Sequence, residues 1–347
     1  MEKCSLLGHK ALGNFSVKNQ DEKKLVLLHD PIETKELPLP FQYGGDIAAN
    51  IVLAASRFLS NGSELKPMTV EVEYLNPGDV SQPRYYHVEK LRETPKTMHT
   101  TVRLEQNDNI LIAIGSVIFH AHEATSQSLC YHAKFPEDCP LPDELAYDHD
   151  LLKKYEQEEK SYVGNDEGEP ESKKKREDLK SIFKHDPTSK LHEARRMVYM
   201  SHGLGLVAKP VNPECYFKLK KEPTTRLSFW MRYRKEEVDK VFDDFKDDAW
   251  SAALLAYASD FRILSPALRW APDFVSGRMA TMTHSMWFSP DFKADGEMKS
   301  PTDWILYDVK LIFAGNNTVL CEGQLWNDKK HLLATAKQIG LIRPKSG

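Results

Sequence analysis

The sequence predicts an α+β fold made of two similar units, and two observations lead to this prediction. An alanine-rich, mostly apolar segment occurs twice, at 46–55 and at 249–258, and each copy is typical of a buried helix. Strand-like runs follow each copy in the same order: a strand, a loop with proline, a second strand and a hairpin. A helix followed by antiparallel strands implies a sheet that wraps around the helix.

The two sets of strands correspond closely. In the first unit the strand-like runs are 68–75, 85–91, 98–105 and 111–119. In the second unit they are 280–288, 304–313, 319–326 and 331–342. This repeated order indicates an ancient duplication, although the identity between the halves is low. A sheet wrapped around one buried helix describes a hotdog fold, so two copies predict a double hotdog.

A charged segment separates the two units. Charged residues dominate from 151 to about 196, and few apolar residues are available there to bury. We therefore predict an N-terminal hotdog domain at 1–135, a charged linker or insertion at 136–200, and a C-terminal hotdog domain at 201–347. The insertion should be solvated and partly helical. The basic run 173–176 also fits a nuclear-localisation signal, but interleaved acidic residues favour a solvated segment.

The composition limits the class of protein. Hydrophobic residues make up 41% and charged residues 28% of the 347 residues, which is typical of a globular protein rather than a disordered or membrane-embedded one. No stretch approaches the ~20 apolar residues that span a bilayer. The formal net charge of −4 provides no basic field for nucleic acid.

The cysteines and the chain ends bear on location. Five scattered cysteines form no C-x-x-C pair, and no apolar run follows the charged N-terminus as in a secretory signal. We therefore expect reduced thiols and an intracellular protein. The sequence ends in Pro-Lys-Ser-Gly rather than Ser-Lys-Leu, so the location can be peroxisomal or cytoplasmic.

Most standard catalytic motifs do not occur. The sequence has no G-x-S-x-G nucleophile elbow and no P-loop, and His192-Glu193 lacks the second histidine of H-E-x-x-H. The 13 histidines show no metal-ligand spacing. These observations disfavour nucleotide, metal and serine-nucleophile mechanisms, and we expect no metal and no cofactor.

One acidic residue lies in an unusual place. Asp260 ends the second apolar helix and has apolar neighbours on both sides. A carboxylate near a helix C-terminus faces the negative end of the helix dipole, which costs about 0.3–1 kcal/mol when exposed. Burial should also raise the pKa of this carboxyl group. Local rules tend to fail at functional sites, although an aspartate that binds loop amides is the simpler interpretation of this residue alone.

Two other polar residues interrupt strands of the second unit. Thr281 and Gln338 lie in the first and last of its predicted strands, and either residue alone would be ordinary there. The matching places in the first unit hold Gly115 and Ser116, and its helix ends without an acid. The polar trio therefore belongs to the second unit only, as divergence after a duplication would leave it.

These segments carry a resemblance to a known family. The stretches that resemble the acyl-CoA thioesterase II family are 255–261, 279–288, 304–307 and 334–340 in the second half, and 43–45, 75–79 and 88–92 in the first. The most specific parts are the segment at Asp260 and the segment 284–288. The sequence departs from the family pattern at Asn76, at Thr283 and at 93–96.

The resemblance implies a double hotdog that hydrolyses fatty acyl-CoA to free acid and CoA. It implies that Asp260 is the general base or principal acceptor for the attacking water, and that Thr281 and Gln338 orient this water. Removal of a proton by a positioned carboxylate contributes ~10²–10⁴-fold to such a reaction. The resemblance requires no metal or redox cofactor and favours a homodimer or larger homo-oligomer with acyl-CoA as its substrate.

Two other functions stay open at this point. A hotdog hydratase or dehydratase acting on enoyl-CoA usually needs an Asp/His or Glu/His pair, and His284 is the nearby candidate. A diverged double hotdog that binds acyl-CoA without turnover is the other alternative. The joint presence of Asp260, Thr281 and Gln338 argues against a protein that has lost catalysis.

Overall fold

The structure is a computed structural model. It describes residues 12–345 except for 33–41, 61–62, 108, 123–130, 132, 165–186, 221, 238–247 and 291–301. The strands are β1 (Phe15–Gln20), β2 (Lys24–His29), β3 (Leu65–Tyr74), β4 (Arg84–Glu93), β5 (Thr97–Gln106), β6 (Ile110–Ala121), β7 (Leu206–Pro210), β8 (Arg226–Tyr233), β9 (Ser276–Phe288), β10 (Ile305–Gly315), β11 (Thr318–Asn327) and β12 (Leu332–Pro344). The helices are α1 (Gly44–Ser56), α2 (Asp148–Gly164), α3 (Pro187–Gly203), α4 (Pro213–Tyr216), α5 (Asp248–Ser259) and α6 (Ser265–Trp270).

The twelve described strands form one antiparallel sheet. Its order is β1-β2-β4-β5-β6-β3-β9-β12-β11-β10-β8-β7, and the halves meet where β3 pairs with β9. Read outward from this junction, the strand order of the second half repeats that of the first. This symmetry agrees with the predicted duplication. The prediction missed the two outer strands on each side, which are short and follow no long alternating pattern.

The two predicted helices lie on the inner side of this sheet and pack against each other. Every residue of α1 from Gly45 to Ala55 is buried, and α5 is buried apart from its first residue and Ser251. Alanine at many positions lets two helices approach closely, because its side chain extends little beyond the backbone. The helices run antiparallel, so the start of α1 meets the end of α5.

A buried ion pair anchors the start of α1. The carboxylate of Asp46 accepts hydrogen bonds from Arg84 Nη1 at 2.9 Å, from Gln42 Nε2 at 2.7 Å and from Asn50 Nδ2 at 2.9 Å. Asp46 and Arg84 are both fully buried. A buried charge pair is tolerated when hydrogen bonds satisfy its remaining polar atoms, as they do for this carboxylate. The first turn of α1 is therefore held firmly to β4.

The described parts of the predicted insertion are helical. Helices α2 and α3 lie largely within 136–200, and Leu191, Ala194 and Val198 of α3 are buried in the core. Helix α3 is thus less solvated than its charge content suggested. The basic run 173–176 lies outside the described residues, and the domain boundaries at 135 and 200 stay predictions.

Within the same described ranges, we find no helix with both the length and the apolar character needed to cross a bilayer.

Candidate active site

Asp260 lies at the junction of the two units. It follows the last residue of α5 in the turn that leads to α6, and Arg262 in this turn has a positive φ of 63°. The amide of Gly45, in the first turn of α1, donates a hydrogen bond to Asp260 Oδ2 at 2.9 Å. A carboxylate from the second unit is thereby bound by a helix N-terminus from the first.

Two glycines permit this contact. A Cβ atom on Gly45 would lie 2.3 Å from the carbonyl oxygen of Tyr257, and one on Gly44 would lie 2.9 Å from Asp260 Oδ2. Cβ atoms essentially never approach other heavy atoms closer than 3.0 Å. The pair Gly44-Gly45 is therefore required by the close approach of the two helix ends.

Tyrosine hydroxyl groups hold the end of α5 in place. The last carbonyl groups of a helix have no partner within it, and a buried helix end must satisfy them otherwise. Here the hydroxyl groups of Tyr43 and Tyr307 donate to two of these carbonyl oxygens, that of Tyr257 at 3.0 Å and that of Ser259 at 2.6 Å. Tyr233 donates at 2.6 Å to the carbonyl oxygen of Leu254, earlier in α5. The position of Asp260, one residue farther along, is fixed by these bonds.

The environment of Asp260 shifts its titration. Burial raises the pKa of this carboxyl group, while the charge of His284 and hydrogen bonds from Gln338 and Gly45 act in the opposite direction, and the net shift is upward. The carboxylate also lies between the negative end of α5 and the positive end of α1, whose effects oppose each other. A carboxyl group with a raised pKa is a better proton acceptor than an ordinary exposed aspartate.

Gln338 connects the other predicted residues to Asp260. Its side chain is buried on β12, and its Nε2 donates to Thr281 Oγ1 at 2.6 Å. Hydrogen bonding from Gln338 also stabilises the ionised form of Asp260. The structure thus brings Asp260, Thr281 and Gln338 together, and it leaves their catalytic roles as a proposal.

A β-bulge places Thr281 in this group. In the pairing of β9 with β12, His284 lies opposite Gln338, but Thr281 lies opposite Gly340, so Met282 is an extra residue in β9. Without the bulge, Thr281 and His284 would point to opposite faces because they are three residues apart. With it, both side chains reach Gln338.

His284 links Gln338 to the end of α5. Its Nδ1 lies 2.8 Å from Gln338 Oε1, and its Nε2 lies 2.8 Å from Ser259 Oγ. The side chain is fully buried, and burial lowers its pKa, against the opposing influence of Asp260 and Gln338. A neutral imidazole that holds Gln338 on one side and the end of α5 on the other is a positioning group.

From the sequence, His284 was named as part of the family-like segment 284–288 and as a candidate for hydratase chemistry, and Gly45 only as part of the family-like stretch 43–45; neither was assigned a contact with the site. A signal for Gly45 was present, since two glycines before a buried helix indicate close backbone approach. No comparable signal marked Ser259, because its contact with His284 depends on the tertiary fold.

Comparison with known proteins gives matches in both halves. The family model for the acyl-CoA thioesterase N-terminal domain matches residues 37–120, and the family model for the acyl-CoA thioesterase C-terminal domain matches residues 182–342. Acyl-coenzyme A thioesterase 8 of Mus musculus is 26% identical over 320 residues, which are 87% of this chain and 80% of the mouse protein. The human protein of the same name is 23% identical over 312 residues, 89% of this chain and 82% of its own length.

Solved structures agree on the fold. The tesB protein of Mycobacterium avium subsp. paratuberculosis superimposes with a TM-score of 0.62 at 20% identity, covering 96% of this chain and 99% of that chain. A hot dog fold protein of Alicyclobacillus acidocaldarius gives a TM-score of 0.59 at 14% identity, covering 97% and 98%. The predicted double hotdog is confirmed. Since family models match both halves, the chain belongs to the acyl-CoA thioesterase family and is a thioester hydrolase.

Proposed function

We propose that the protein hydrolyses fatty acyl-CoA to free fatty acid and CoA by direct attack of a water held by Asp260, Thr281 and Gln338. The observation that supports this proposal is the position of Gln338, whose amide contacts Thr281 and stabilises the carboxylate of Asp260. These polar groups converge at the end of a buried helix.

In the proposed reaction, Asp260 accepts a proton from the water as its oxygen bonds to the thioester carbonyl carbon. The resulting tetrahedral intermediate collapses with cleavage of the C–S bond, and the proton held by Asp260 passes to the departing thiolate. The N-terminus of α1 places its positive end beside this site, where it can offset negative charge that develops on the carbonyl oxygen. The chemistry needs an oriented water and a poised base, both of which this arrangement can supply.

The hydratase alternative is weaker in this geometry. It would require His284 to exchange a proton with the substrate, yet both ring nitrogens are engaged, one with Gln338 and one with Ser259. The imidazole is also fully buried. A histidine in this situation orients its neighbours rather than contacting an acyl chain.

A thiol-release assay over a series of acyl-CoA chain lengths tests the proposal. We expect clear turnover by the wild-type protein and a loss of about 10²–10⁴-fold in kcat for Asp260→Asn. Asp328→Asn, which changes an exposed carboxylate in the hairpin between β11 and β12, is the matched control and should keep wild-type turnover. Equal kcat in Asp260→Asn and wild type would refute the assigned base.

The same assay separates the alternatives. A hydratase would consume an enoyl-CoA without releasing thiol. A binding protein would retain acyl-CoA without any turnover, and calorimetry would then show binding alone.

Three sequence-based expectations accompany this proposal. The outer strands β1 and β7 leave backbone groups unpaired at both edges of the described sheet, and such edges favour assembly into a homodimer or larger homo-oligomer, which light scattering would measure. The boundaries at 135 and 200 can be checked by limited proteolysis. An intracellular location, peroxisomal or cytoplasmic, can be checked by imaging of the tagged chain.

A further inference from the structure

A group of metal-ligating side chains lies at the base of the insertion, outside the thioesterase site. Asp148 and His149 open α2, and His202 lies in the last turn of α3. A carboxylate oxygen of Asp148 and one nitrogen of each imidazole all lie within 4.8 Å of one another. We propose that these three side chains form a binding site for a divalent transition-metal ion of the Zn²⁺ type, which joins α2 to α3.

The spacing of the three atoms is close to what a metal requires. A tetrahedral site with ligands about 2.0–2.1 Å from the ion separates its ligand atoms by roughly 3.3 Å. Asp148 Oδ1 and His149 Nδ1 lie 3.7 Å apart, too far for a hydrogen bond and near the separation of two ligands. Small rotations of the side chains would complete the arrangement.

Two nitrogen atoms of this cluster lack a partner. His149 Nδ1 and His202 Nε2 are both buried, and neither makes a hydrogen bond within the described residues. Most buried polar atoms in folded proteins have a hydrogen-bond partner, so two unpaired nitrogens in one cluster with a carboxylate indicate a missing ligand.

The surroundings of His149 resemble those of a metal-bound histidine. Its Nε2 lies 3.5 Å from a carboxylate oxygen of Asp150. A carboxylate at the far nitrogen fixes the proton there and leaves Nδ1 free to bind a metal, as in carboxylate–histidine–zinc triads. The imidazole also stacks on Tyr147, with ring centroids 5.2 Å apart, which fixes its plane.

The carboxylate of Asp148 is likewise oriented. Ser201 Oγ lies 3.2 Å and the Tyr216 hydroxyl 3.5 Å from its Oδ2, so Oδ1 faces the histidines. A neighbouring cation, Arg234, donates to the carbonyl oxygen of His202 and is paired with Glu237 at 2.8 Å. Because this pair is neutral overall, it leaves the charge of Asp148 available to the ion.

The ligand set favours a late transition metal. Two imidazoles and one carboxylate suit Zn²⁺, Co²⁺ or Ni²⁺ better than Mg²⁺ or Ca²⁺, which prefer oxygen ligands alone. The three side chains leave a fourth position for water. An ion bound only by the folded protein would stabilise the fold by mass action.

The test uses the full-length protein after treatment with a chelator. Zn²⁺ affinity is measured by competition with a chromophoric chelator, and the melting temperature (Tm) is measured with and without Zn²⁺. The visible absorption spectrum of bound Co²⁺ reports the coordination geometry of the site. We expect one Zn²⁺ per chain, a Zn²⁺-dependent rise in Tm and a tetrahedral Co²⁺ spectrum. His149→Ala and Asp148→Asn should each weaken Zn²⁺ binding at least tenfold and remove the rise in Tm.

His87→Ala is the matched control, because it removes a half-exposed histidine from β4 in the other unit and should leave Zn²⁺ binding unchanged. His149 is itself partly exposed, so its replacement by alanine should leave the metal-free protein folded, as the metal-free Tm would verify. The proposal is overturned if the wild-type protein binds no Zn²⁺, or if His149→Ala binds Zn²⁺ as tightly as the wild type.

Discussion

The contact between Gly45 and Asp260 provides a sharp test of the proposed site. In Gly45→Ala the new Cβ would lie 2.3 Å from the carbonyl oxygen of Tyr257, and it must move to at least 3.0 Å. The start of α1 therefore has to move about 0.7 Å away from the end of α5. This movement strains the contacts on both helices, because Tyr43 holds the Tyr257 carbonyl and the Asp46–Arg84 ion pair anchors the first turn of α1.

The displacement has two measurable consequences. Overpacking of a closely packed contact costs about 1–3 kcal/mol, which should lower Tm by several degrees. The same movement stretches the 2.9 Å bond from the Gly45 amide to Asp260, and misplacement of a catalytic group by about 1 Å can cost 10²-fold in rate. We expect kcat for acyl-CoA hydrolysis to fall by about that factor.

Gly315→Ala is the matched control for this experiment. Gly315 lies at the end of β10, and a Cβ there meets nothing within 4 Å. The assay is thiol release for kcat and KM, with Tm from thermal unfolding of the same preparations. If Gly45→Ala keeps both wild-type kcat and wild-type Tm while Gly315→Ala does the same, the glycine pair has no role in positioning Asp260.

Three other variants test the surroundings of the site. Asp260→Asn should raise Tm near pH 8, because burial raises the pKa of Asp260 and disfavours its ionised form. This gain in Tm should shrink as the pH is lowered and the wild-type carboxyl becomes neutral, and a lower Tm at every pH would contradict the reasoning. Tyr307→Phe leaves the buried carbonyl of Ser259 without its 2.6 Å donor and should cost about 1–3 kcal/mol in denaturant unfolding, whereas no loss would show that water replaces the hydroxyl. Arg84→Met leaves the carboxylate of Asp46 buried without its charged partner, and it should lower the free energy of unfolding by about 3–5 kcal/mol in the same experiment. Adding Asp46→Asn to this variant should restore part of the lost stability, because it removes the uncompensated charge.

The strong periodic segments could be predicted from the sequence. Helices α1 and α5 are long and apolar along most of their length, so burial was evident, and the eight longer strands lie within a few residues of their predicted limits. Strands β1, β2, β7 and β8 were missed, because short strands gain their stability from neighbours that are distant in sequence.

The arrangement of the site could be predicted only in part. Family resemblance named Asp260, Thr281 and Gln338, but alternation along β9 would place Thr281 and His284 on opposite faces. The bulge at Met282 removes this conflict, and it depends on the register between two strands that are far apart in the sequence. The contact of Gly45 with Asp260 likewise joins two different units.

The duplicated fold has two equivalent helix junctions, at each of which the end of one central helix meets the start of the other. Asp260 lies at the junction between the end of α5 and the start of α1, and the second junction has no matching acid after its helix end. When Ser56 of α1 is aligned with Ser259 of α5, Arg57 takes the place of Asp260 and Asp248 takes the place of Gly45. At that second junction the side chain of Asp248 forms an ion pair with Lys66.

The charges at the second junction are thus the reverse of those at the first. An arginine beyond the end of α1 complements the negative end of the helix, whereas an aspartate beyond the end of α5 opposes it. The second junction follows the rule for helix ends, and the first departs from it. The unfavourable placement of Asp260 occurs where the amide at a second helix N-terminus and the side chain of Gln338 bind its carboxylate, and where tyrosine hydroxyls hold the end of α5 that precedes it. This is the pattern expected of a functional site rather than a structural one.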